Sequence, residues 1–425
     1  MTRSDTRIED QTPPLSVAVL VDLERRANAG GHVKCWERLS EAAEGRADLD
    51  LTVYFLGDER TEIRISDAVR YRILPPLFSS NRMPGSDDAP DHSDLAPFRP
   101  RLYRTLREFD VIHTTDAFFA MAGTARKAAK AFGSALVTSL HTDTPGYTRI
   151  YSEKLLRRGL GDGLIGSLII DRLRVPERLG HMMESKLEAM FAEASFILAP
   201  PEGLGDVPIP PGKNRPLRRG IDRSRFHPAK GDRGWLAETH GIDRDRFVLA
   251  FAGRLSAGKD VLTLAHAARL LVDQGRNVQA LFCGEGADRK VIEDLLGERA
   301  TLPGVVNQTT LGRMLASSDL FVFPSRIEVA PNVVNEAKAC GLPPLVTTDG
   351  GGRMITTPGK DGLIIDDPTP EAWATAIAGL MDDNPRRLAL AEAALEDSLA
   401  RRPSWEDVLA EDLMPVWCQA AGREA

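Results

Sequence analysis

Residues 247–273 have the sequence FVLAFAGRLSAGKDVLTLAHAARLLVD, in which a short apolar run, a turn bounded by glycines and a helical pattern follow one another. The run Phe247–Ala252 predicts a buried strand. From Val261 to Val272 the apolar residues recur at helical spacing, which predicts a helix with one buried face. A strand followed directly by a helix is the repeating unit of an α/β domain with a parallel sheet.

The same alternation extends in both directions from this unit. Downstream it predicts strands at Val278–Cys283, Leu320–Phe323 and Pro344–Thr347, and helices at Asp288–Leu296, Asn332–Ala339, Glu371–Met381, Pro385–Ala400 and Trp405–Cys418. Upstream it predicts strands at Ser16–Asp22, Leu51–Leu56, Val111–His113, Ala135–His141 and Phe196–Ala199, with a helix at about His32–Ala43. We therefore expect an α/β protein with two Rossmann-like domains facing each other across a cleft.

Proline-rich stretches interrupt the alternation twice. Six prolines lie between Pro200 and Pro216, a composition typical of an extended interdomain linker. Residues 75–100 are rich in Pro, Ser and Asp, which predicts a lid or an insertion. The predicted organisation is an N-terminal domain over 1–205, a linker over 206–218 and a C-terminal domain over 219–403, with a C-terminal helix over 404–425 that packs back on the first domain.

Length and composition exclude several classes of protein. The chain has 425 residues, of which 42% are hydrophobic and 27% charged, so it is not a disordered chain. Its net charge of −7 argues against a nucleic-acid partner. No apolar stretch is long enough to span a membrane, and the N-terminus has no apolar signal core, so we expect a cytoplasmic protein. The four cysteines are isolated in sequence, which argues against disulfides and a structural zinc.

The turn after the strand Phe247–Ala252 is a candidate anion site. Gly253 and Gly258 allow a tight backbone path, and Asp260 is a candidate cap for the following helix. Arg254 and Lys259 stand beside the N-terminus of that helix, where the amide groups already favour an anion. A diphosphate suits such a turn. The alternative is a pair of solvated cations on a surface loop.

Three further strand-to-helix turns belong to the same predicted sheet edge. Residues 324–332 lead into a helix, so that Glu328 in the turn and Glu336 in the helix are able to face one cleft. A carboxylate that accepts both hydroxyls of a vicinal diol is a common way to hold a ribose, although two such glutamates are also common on solvated helix faces. The glycines of 349–353 and of 284–286 let backbone amides approach a ligand, and both turns are equally consistent with ordinary loops.

Taken together and in order, these motifs resemble the family 4 retaining glycosyltransferases of the GT-B fold (glycosyl transferases group 1). The matching pieces of the second half are AGRLSAGK, FCGEGADRKVIEDLL, RIEVAPNVVNEAKACGLPPLV and GGGRMITTPGKDGLII. RRGIDRSRFHP resembles the family's entry into its second domain, and NAGGH, DVIHTTDAF and SLHTDTPGYTRIY resemble segments of its first. The chain departs from many members at Ala330-Pro331, where Phe-Gly is usual, and at Met354, where a glutamate is usual.

The resemblance implies a nucleotide-sugar donor held mainly by the second domain and an acceptor held mainly by the first. The resemblance implies a catalytic role for His141, Arg254, Lys259 and Glu328. The residues that it implies for donor binding are Gly253, Arg254, Lys259, Glu328, Ala330, Pro331, Asn332 and Glu336, with Glu336 at the ribose. On the acceptor side of the cleft it implies Gly30, Gly31 and Asp143.

The sequence predicts that no metal and no cofactor take part. Asp48-Leu49-Asp50 and Asp243-Arg244-Asp245 have the Asp-x-Asp form of many metal sites in nucleotide-sugar enzymes. Both precede an apolar run, which puts them at the opposite end of their strands from a site at the carboxyl edge. The eight histidines are dispersed, and no cluster of cysteines offers an alternative.

The function implied by the resemblance is transfer of a hexosyl group from a GDP- or UDP-linked donor to an acceptor hydroxyl of a lipid or glycan, with retention. Two alternatives stay open: a sugar-nucleotide epimerase of the same fold, and a non-catalytic subunit that binds a nucleotide sugar. Basic and apolar residues also interleave between Lys154 and Arg178. This pattern is consistent with peripheral docking at the inner face of a membrane or with an internal packing segment.

Overall fold

The structure is a computed structural model of the chain. It describes residues 13–26, 29–80, 93–141, 144–145, 148–149, 152–153, 156–157, 163, 170, 172–201, 207–326, 328 and 330–424.

The first sheet has eight strands in the order β3-β4-β2-β1-β5-β6-β7-β8. Its strands are β1 (Leu15–Glu24), β2 (Leu49–Leu56), β3 (Thr61–Arg64), β4 (Val69–Leu74), β5 (Val111–Thr114), β6 (Ala135–Ser139), β7 (Phe196–Ala199) and β8 (Asn214–Pro216). All neighbours pair in parallel except β3 and β4, which form an antiparallel pair at one edge. Helices must therefore carry the chain between most strands.

The second sheet has six parallel strands in the order β11-β10-β9-β12-β13-β14. Its strands are β9 (Phe247–Ala252), β10 (Val278–Cys283), β11 (Ala300–Gly304), β12 (Leu320–Phe323), β13 (Pro344–Val346) and β14 (Leu363–Ile364). After β11 the chain crosses to the other side of β9, so the strand order reverses between β9 and β12. Ligands of open α/β sheets bind outside the carboxyl ends of the strands at such a reversal.

The described helices lie between and after these strands. Those of the first half are α1 (Gly31–Ala43), α2 (Pro100–Thr105), α3 (Ala120–Phe132) and α4 (Val175–Glu193). Those of the second half are α5 (Arg233–His240), α6 (Val261–Asp273), α7 (Arg289–Leu296), α8 (Gln308–Ala316), α9 (Asn332–Ala339), α10 (Pro370–Asp382) and α11 (Asn384–Arg401). A last helical segment covers Trp405–Ala420, of which Val408–Leu413 is π-helical.

Each sheet has its own apolar core. Strands β9 and β10 are almost entirely buried, and α6 covers one face with seven buried residues of its thirteen. In the first domain, α1 packs one face of the sheet and α3 the other. Two separate parallel sheets with helices on both faces confirm the predicted fold class of two Rossmann-like domains.

The C-terminal segment Trp405–Ala420 returns to the first domain. Trp417 is fully buried in the core of the first sheet, and its Nε1 donates to Nδ1 of His113 at 3.0 Å. Trp405 packs against Gly220, where a Cβ atom would lie 2.6 Å from the indole, so only glycine fits. Arg218 donates to the buried Asp412 through its backbone and its guanidinium. The chain thus crosses between the domains twice.

The structure departs from the sequence-based expectation in some places. Within the predicted linker, Asn214–Pro216 forms β8 and extends the first sheet, because a proline is tolerated on an edge strand. His141 lies beyond the end of β6, although a strand was predicted up to it. The pair β3–β4 and helix α3 were not predicted from the sequence; five of the seven buried residues of α3 are alanines.

Several expectations fall partly outside the described residues. In the segment 75–100, for which a lid or an insertion was predicted, residues 81–92 are not described. On either side of them, Ser79 and Asp94 form an isolated antiparallel bridge. Asp94 also forms a buried ion pair with Arg99. Most of the basic and apolar segment after Lys154 is likewise not described. Among the helices that the structure describes, none is both long and apolar enough to cross a membrane.

Candidate functional site

The carboxyl ends of β9, β10, β12 and β13 bring four turns to one edge of the second sheet. Two of these turns touch through their backbones. A Cβ atom at Gly284 would lie 1.9 Å from the carbonyl oxygen of Gly253, and one at Gly286 would lie 2.1 Å from that of Leu255. Gly253 and Gly284 have φ angles of +149° and +155°, which side chains rarely allow. These glycines are therefore required for the close packing of the two turns.

Lys259 and Glu328, from two different turns, form an ion pair. Glu328 Oε1 also accepts a hydrogen bond of 2.9 Å from the Oγ of Ser325, which is fully buried, and the Glu328 amide donates to the carbonyl of Asp349. The two side chains are 30% and 15% exposed, so the pair lies at the surface of the cleft and within reach of a ligand. The structure thus brings together two residues that were predicted separately.

The start of α6 differs from expectation. Asp260 does not cap the helix: its φ is +49°, and its side chain makes no capping hydrogen bond. It faces Arg326 instead, with 3.5 Å between Nε and Oδ2. Arg254 and Lys259 are half-buried in the same turn. Arg326 is a third cation at this edge, which the sequence did not single out.

Glu336 is buried on α9, where Nδ2 of Asn332 donates to Oε1 at 3.2 Å. Burial raises the pKa of Glu336 to about 7, and Asn332 and the positive charge of Arg38 oppose this shift in part. Arg38 belongs to α1, so a cation of the first domain faces a carboxyl group of the second. Pro331 occupies the N-cap position of α9 instead of its first turn.

A cavity of about 330 Å³ lies close to this pair, between the two domains. Arg38 and Arg225 line it on one side, and residues 307–310, at the start of α8, line it on the other. Its volume is at the lower end of the range for small-molecule sites. A second cavity, of about 800 Å³, lies around Asp110 and Ala135, at the amino ends of β5 and β6.

The first domain contributes Gly30, Gly31 and His141. Gly30 is the N-cap of α1 and supplies no side-chain cap, and a Cβ at Gly31 would meet no atom within 4 Å. No described residue therefore covers the N-terminus of α1 at Gly31. His141 follows β6 and is buried, with its ring stacked on that of His32 at 4.0 Å between centroids. Asp143 lies outside the described residues.

Asp22, at the carboxyl end of β1, is a buried carboxyl group that the sequence did not point to. It accepts hydrogen bonds from the amides of Asp94 and Met121. Burial, and then the nearby Asp116, raise the pKa of Asp22 to about 8. The only sequence signal was an aspartate at the end of an otherwise apolar strand.

Among the described residues, no group of three or more His, Cys, Asp or Glu side chains is arranged to hold a metal ion.

Sequence comparison finds relatives for the second half of the chain. Residues 235–397 match the family model of glycosyl transferases group 1. The D-inositol 3-phosphate glycosyltransferase of Corynebacterium glutamicum (strain R) is 32% identical over 182 residues, which are 40% of this chain and 43% of that protein. The chain thus matches less than half the length of this curated relative.

Structural comparison finds solved proteins that have a similar fold over nearly the whole chain. Anabaena Alr3699/HepE, solved in complex with UDP and glucose, superposes with a TM-score of 0.64 at 17% identity, covering 93% of this chain and 98% of that one. Sucrose-phosphate synthase from Thermosynechococcus elongatus gives 0.66 at 18% identity, covering 95% and 98%. At these identities the likeness is one of fold. Residues 235–397 therefore carry the sequence of a glycosyl transferases group 1 domain, within a chain that has the two-domain GT-B fold.

Proposed function

We propose that the protein is a retaining glycosyltransferase that moves a hexosyl group from a nucleotide-sugar donor to an acceptor hydroxyl. One observation carries the proposal. Lys259, Glu328 and Glu336 lie at the strand-order reversal of the second sheet, where the family match and the location expected of a ligand coincide.

The donor diphosphate would bind at the turn 253–260. Arg254 and Lys259 supply positive charge there, and the open N-terminus of α1 supplies amide groups from the opposite domain. Binding requires Lys259 to leave Glu328, or to be shared between Glu328 and the phosphate. The exchange has a modest cost because both side chains are partly solvated. Glu328, once released, would lie beside the donor sugar and the backbone of 330–332.

The ribose would bind at Glu336. Burial removes most of the hydration of the Glu336 carboxylate. Hydrogen bonds donated by the two ribose hydroxyls would take the place of that hydration. The cavity between Arg38 and the start of α8 would take part of the nucleoside, because Arg38 lines it and also acts on the carboxyl group of Glu336.

Transfer requires stabilisation of the departing diphosphate. As the anomeric C–O bond breaks, negative charge gathers on the leaving phosphate, and Arg254 and Lys259 would stabilise it without a metal ion. The hydrogen bond from Ser325 to Glu328 Oε1 does not depend on Lys259, so it would still tie the carboxylate to its own turn when Lys259 turns to the phosphate. This arrangement is consistent with attack by the acceptor hydroxyl on the anomeric carbon from the same face as the departing diphosphate. Such an attack retains the anomeric configuration.

The acceptor would bind against the first domain, near Gly30, Gly31 and His141. D-inositol 3-phosphate, which appears in the name of the relative from Corynebacterium glutamicum, is one acceptor to test, beside glycan and lipid-linked acceptors. Peripheral contact with the inner face of a membrane remains part of the proposal for a lipid acceptor.

The test is a thermal-shift panel with UDP, GDP and their glucose and mannose conjugates, because a bound ligand raises the melting temperature. The stabilising conjugate is then incubated with and without acceptors. Release of nucleoside diphosphate with formation of an α-linked product from an α-linked donor supports the proposal. Conversion of the nucleotide sugar into an epimer without acceptor would identify an epimerase, and tight binding without any turnover would identify a binding subunit.

A further inference from the structure

His141 has a buried arginine as its neighbour. Arg219, in the segment between β8 and α5, is only 7% exposed, and its Nη2 lies 3.1 Å from Nδ1 of His141. Its Nε and Nη1 are buried without a hydrogen-bond partner among the residues that the structure describes. Burying a guanidinium costs free energy unless its charge is paired or its N–H groups are hydrogen-bonded. The hydrogen bond to His141 offsets part of this cost.

The contact fixes the tautomer of His141. A guanidinium has only donors, so Nδ1 of His141 must be the acceptor of this hydrogen bond. The neutral ring then carries its proton on Nε2. That nitrogen lies 2.9 Å from the Oγ of Ser139, a hydroxyl that is able to accept. Both ring nitrogens are therefore engaged, and only Nε2–H is available as a donor.

The surroundings oppose a positive charge on the ring. Among the described residues, the charged and titratable groups that act on it are His32 of α1, His113 of β5 and Arg219 itself, and Cys35 of α1 lies beside Arg219. Burial, and then His32, Arg219 and His113, hold the pKa of His141 well below its usual range. Burial and Arg219 also lower the pKa of His32 to about 3. The stacked pair of imidazoles thus stays uncharged.

We propose that Arg219 is a positioning residue that holds His141 as a neutral imidazole with its proton on Nε2, so that the ring donates a hydrogen bond to the sugar of the bound donor. This inference rests on the proposed function. When the donor binds, the Nε2–H bond to Ser139 Oγ is exchanged for one to a sugar oxygen. No proton is transferred, because Nδ1 is occupied by Arg219. His141 orients the sugar and does not act as a general base.

The tautomer is measurable in the free protein by ¹⁵N NMR of histidine-labelled enzyme, with His141→Gln to assign the signals. We expect an unprotonated Nδ1 and a protonated Nε2 that do not change between pH 6 and 8. A proton on Nδ1, or a protonated ring within this range, would overturn the proposal. This experiment needs no substrate, so its outcome is independent of the proposed function.

A second measurement compares a nucleoside diphosphate with its sugar conjugate by calorimetry, using UDP with UDP-glucose and GDP with GDP-mannose. In Arg219→Met we expect the affinity gained from the sugar to fall by about tenfold, the effect of losing one hydrogen bond, with the affinity for the diphosphate unchanged. Arg219→Lys keeps a cationic donor and should recover part of the loss. Arg215→Met, four residues earlier in β8, is the control: Arg215 donates to the carbonyls of Gly212 and Asn214 instead of to His141.

Equal losses for the diphosphate and the conjugate in Arg219→Met would indicate a merely structural role and overturn the proposal. So would an unchanged His141 spectrum in that variant. If the wild-type protein binds none of the four ligands, the proposed function fails, while the NMR result still decides the tautomer.

Discussion

The ammonium group of Lys259 pairs with the carboxylate of Glu328 across two turns that follow neighbouring strands, β9 and β12. Sixty-nine residues separate them in sequence. Because the strands are parallel, both turns emerge at the same edge of the sheet. The turn to which we assign the donor phosphate therefore already holds a negative charge in the free protein, and on our proposal the donor must displace it.

Removing that charge should strengthen the binding of a nucleoside diphosphate. In Glu328→Gln, Lys259 loses its ion-pair partner, and we expect the affinity for UDP or GDP to rise about threefold, which is the scale of a partly exposed ion pair. Transfer should nevertheless slow, because the residue beside the sugar has changed. Calorimetry measures the first effect and steady-state kinetics the second. Weaker diphosphate binding in the variant would mean that Glu328 does not compete with the phosphate.

Removing either cation should slow the reaction. Lys259→Ala and Arg254→Ala should each lower kcat by on the order of 10²-fold, because stabilisation of the leaving phosphate is lost. Lys290→Ala is a matched control, since Lys290 is exposed on α7 and pairs with Asp294. Full turnover in both site variants, with an intact fold by circular dichroism, would put the diphosphate elsewhere.

Glu336 should make nucleotide binding depend on pH. The raised pKa of Glu336, about 7, keeps the carboxyl protonated at lower pH, and the ionised form that accepts from two hydroxyls appears as the pH rises through 7. We expect the affinity for the nucleoside diphosphate to rise about tenfold between pH 6 and 8 beyond any change from the phosphate itself.

Glu336→Gln provides the comparison, because phosphate ionisation affects both proteins equally. The variant should bind about 1–3 kcal/mol more weakly at pH 8, since a charge-assisted contact becomes a neutral one. Its affinity should lack the additional pH dependence. Identical titration curves for the two proteins would contradict the placement of the ribose at Glu336.

A buried charge cluster supports the helix that carries Glu336. Lys338 is 1% exposed on the same helix and donates to Asp361 at 2.7 Å, to Asp397 at 2.5 Å and to the carbonyl of Met354 at 2.9 Å. Lys338→Met leaves the buried carboxylate of Asp361 without its cation, whereas the half-buried Asp397 keeps Arg401, and we expect a loss of about 3–5 kcal/mol in the free energy of unfolding by urea. Lys290→Met should unfold like the wild type. A stable Lys338→Met protein would show that the aspartates find other partners.

The sequence was sufficient to predict the fold class and the strands around the site. Runs such as Phe247–Ala252 and Leu320–Phe323 are short, apolar and followed by glycine or proline, and they form strands with the predicted bounds. Helix α3 was missed because five of its seven buried residues are alanines, which are common on buried and exposed helix faces alike. Strand β8 was missed because its sequence, Asn-Arg-Pro, gives no strand signal and it pairs only at a sheet edge.

Which side chains touch could be predicted only in part. Parallel topology predicts that the turns holding Lys259 and Glu328 share an edge, but it does not predict that they pair. The contact of Arg219 with His141 joins residues that are 78 positions apart, and Arg38 faces Glu336 across the domain boundary. Such contacts depend on how the domains and the crossing segment pack, which no local pattern in the sequence records.

We propose that protein groups at the edge of the second sheet, and no metal ion, bind the nucleoside diphosphate. The decisive measurement is calorimetric titration of UDP and of GDP into the wild-type protein in excess EDTA. We expect at least one of the two to bind at a single site, and the same titration with Lys259→Ala to show much weaker binding. Binding that appears only after magnesium or manganese is added, or binding that Lys259→Ala leaves unchanged, would contradict it.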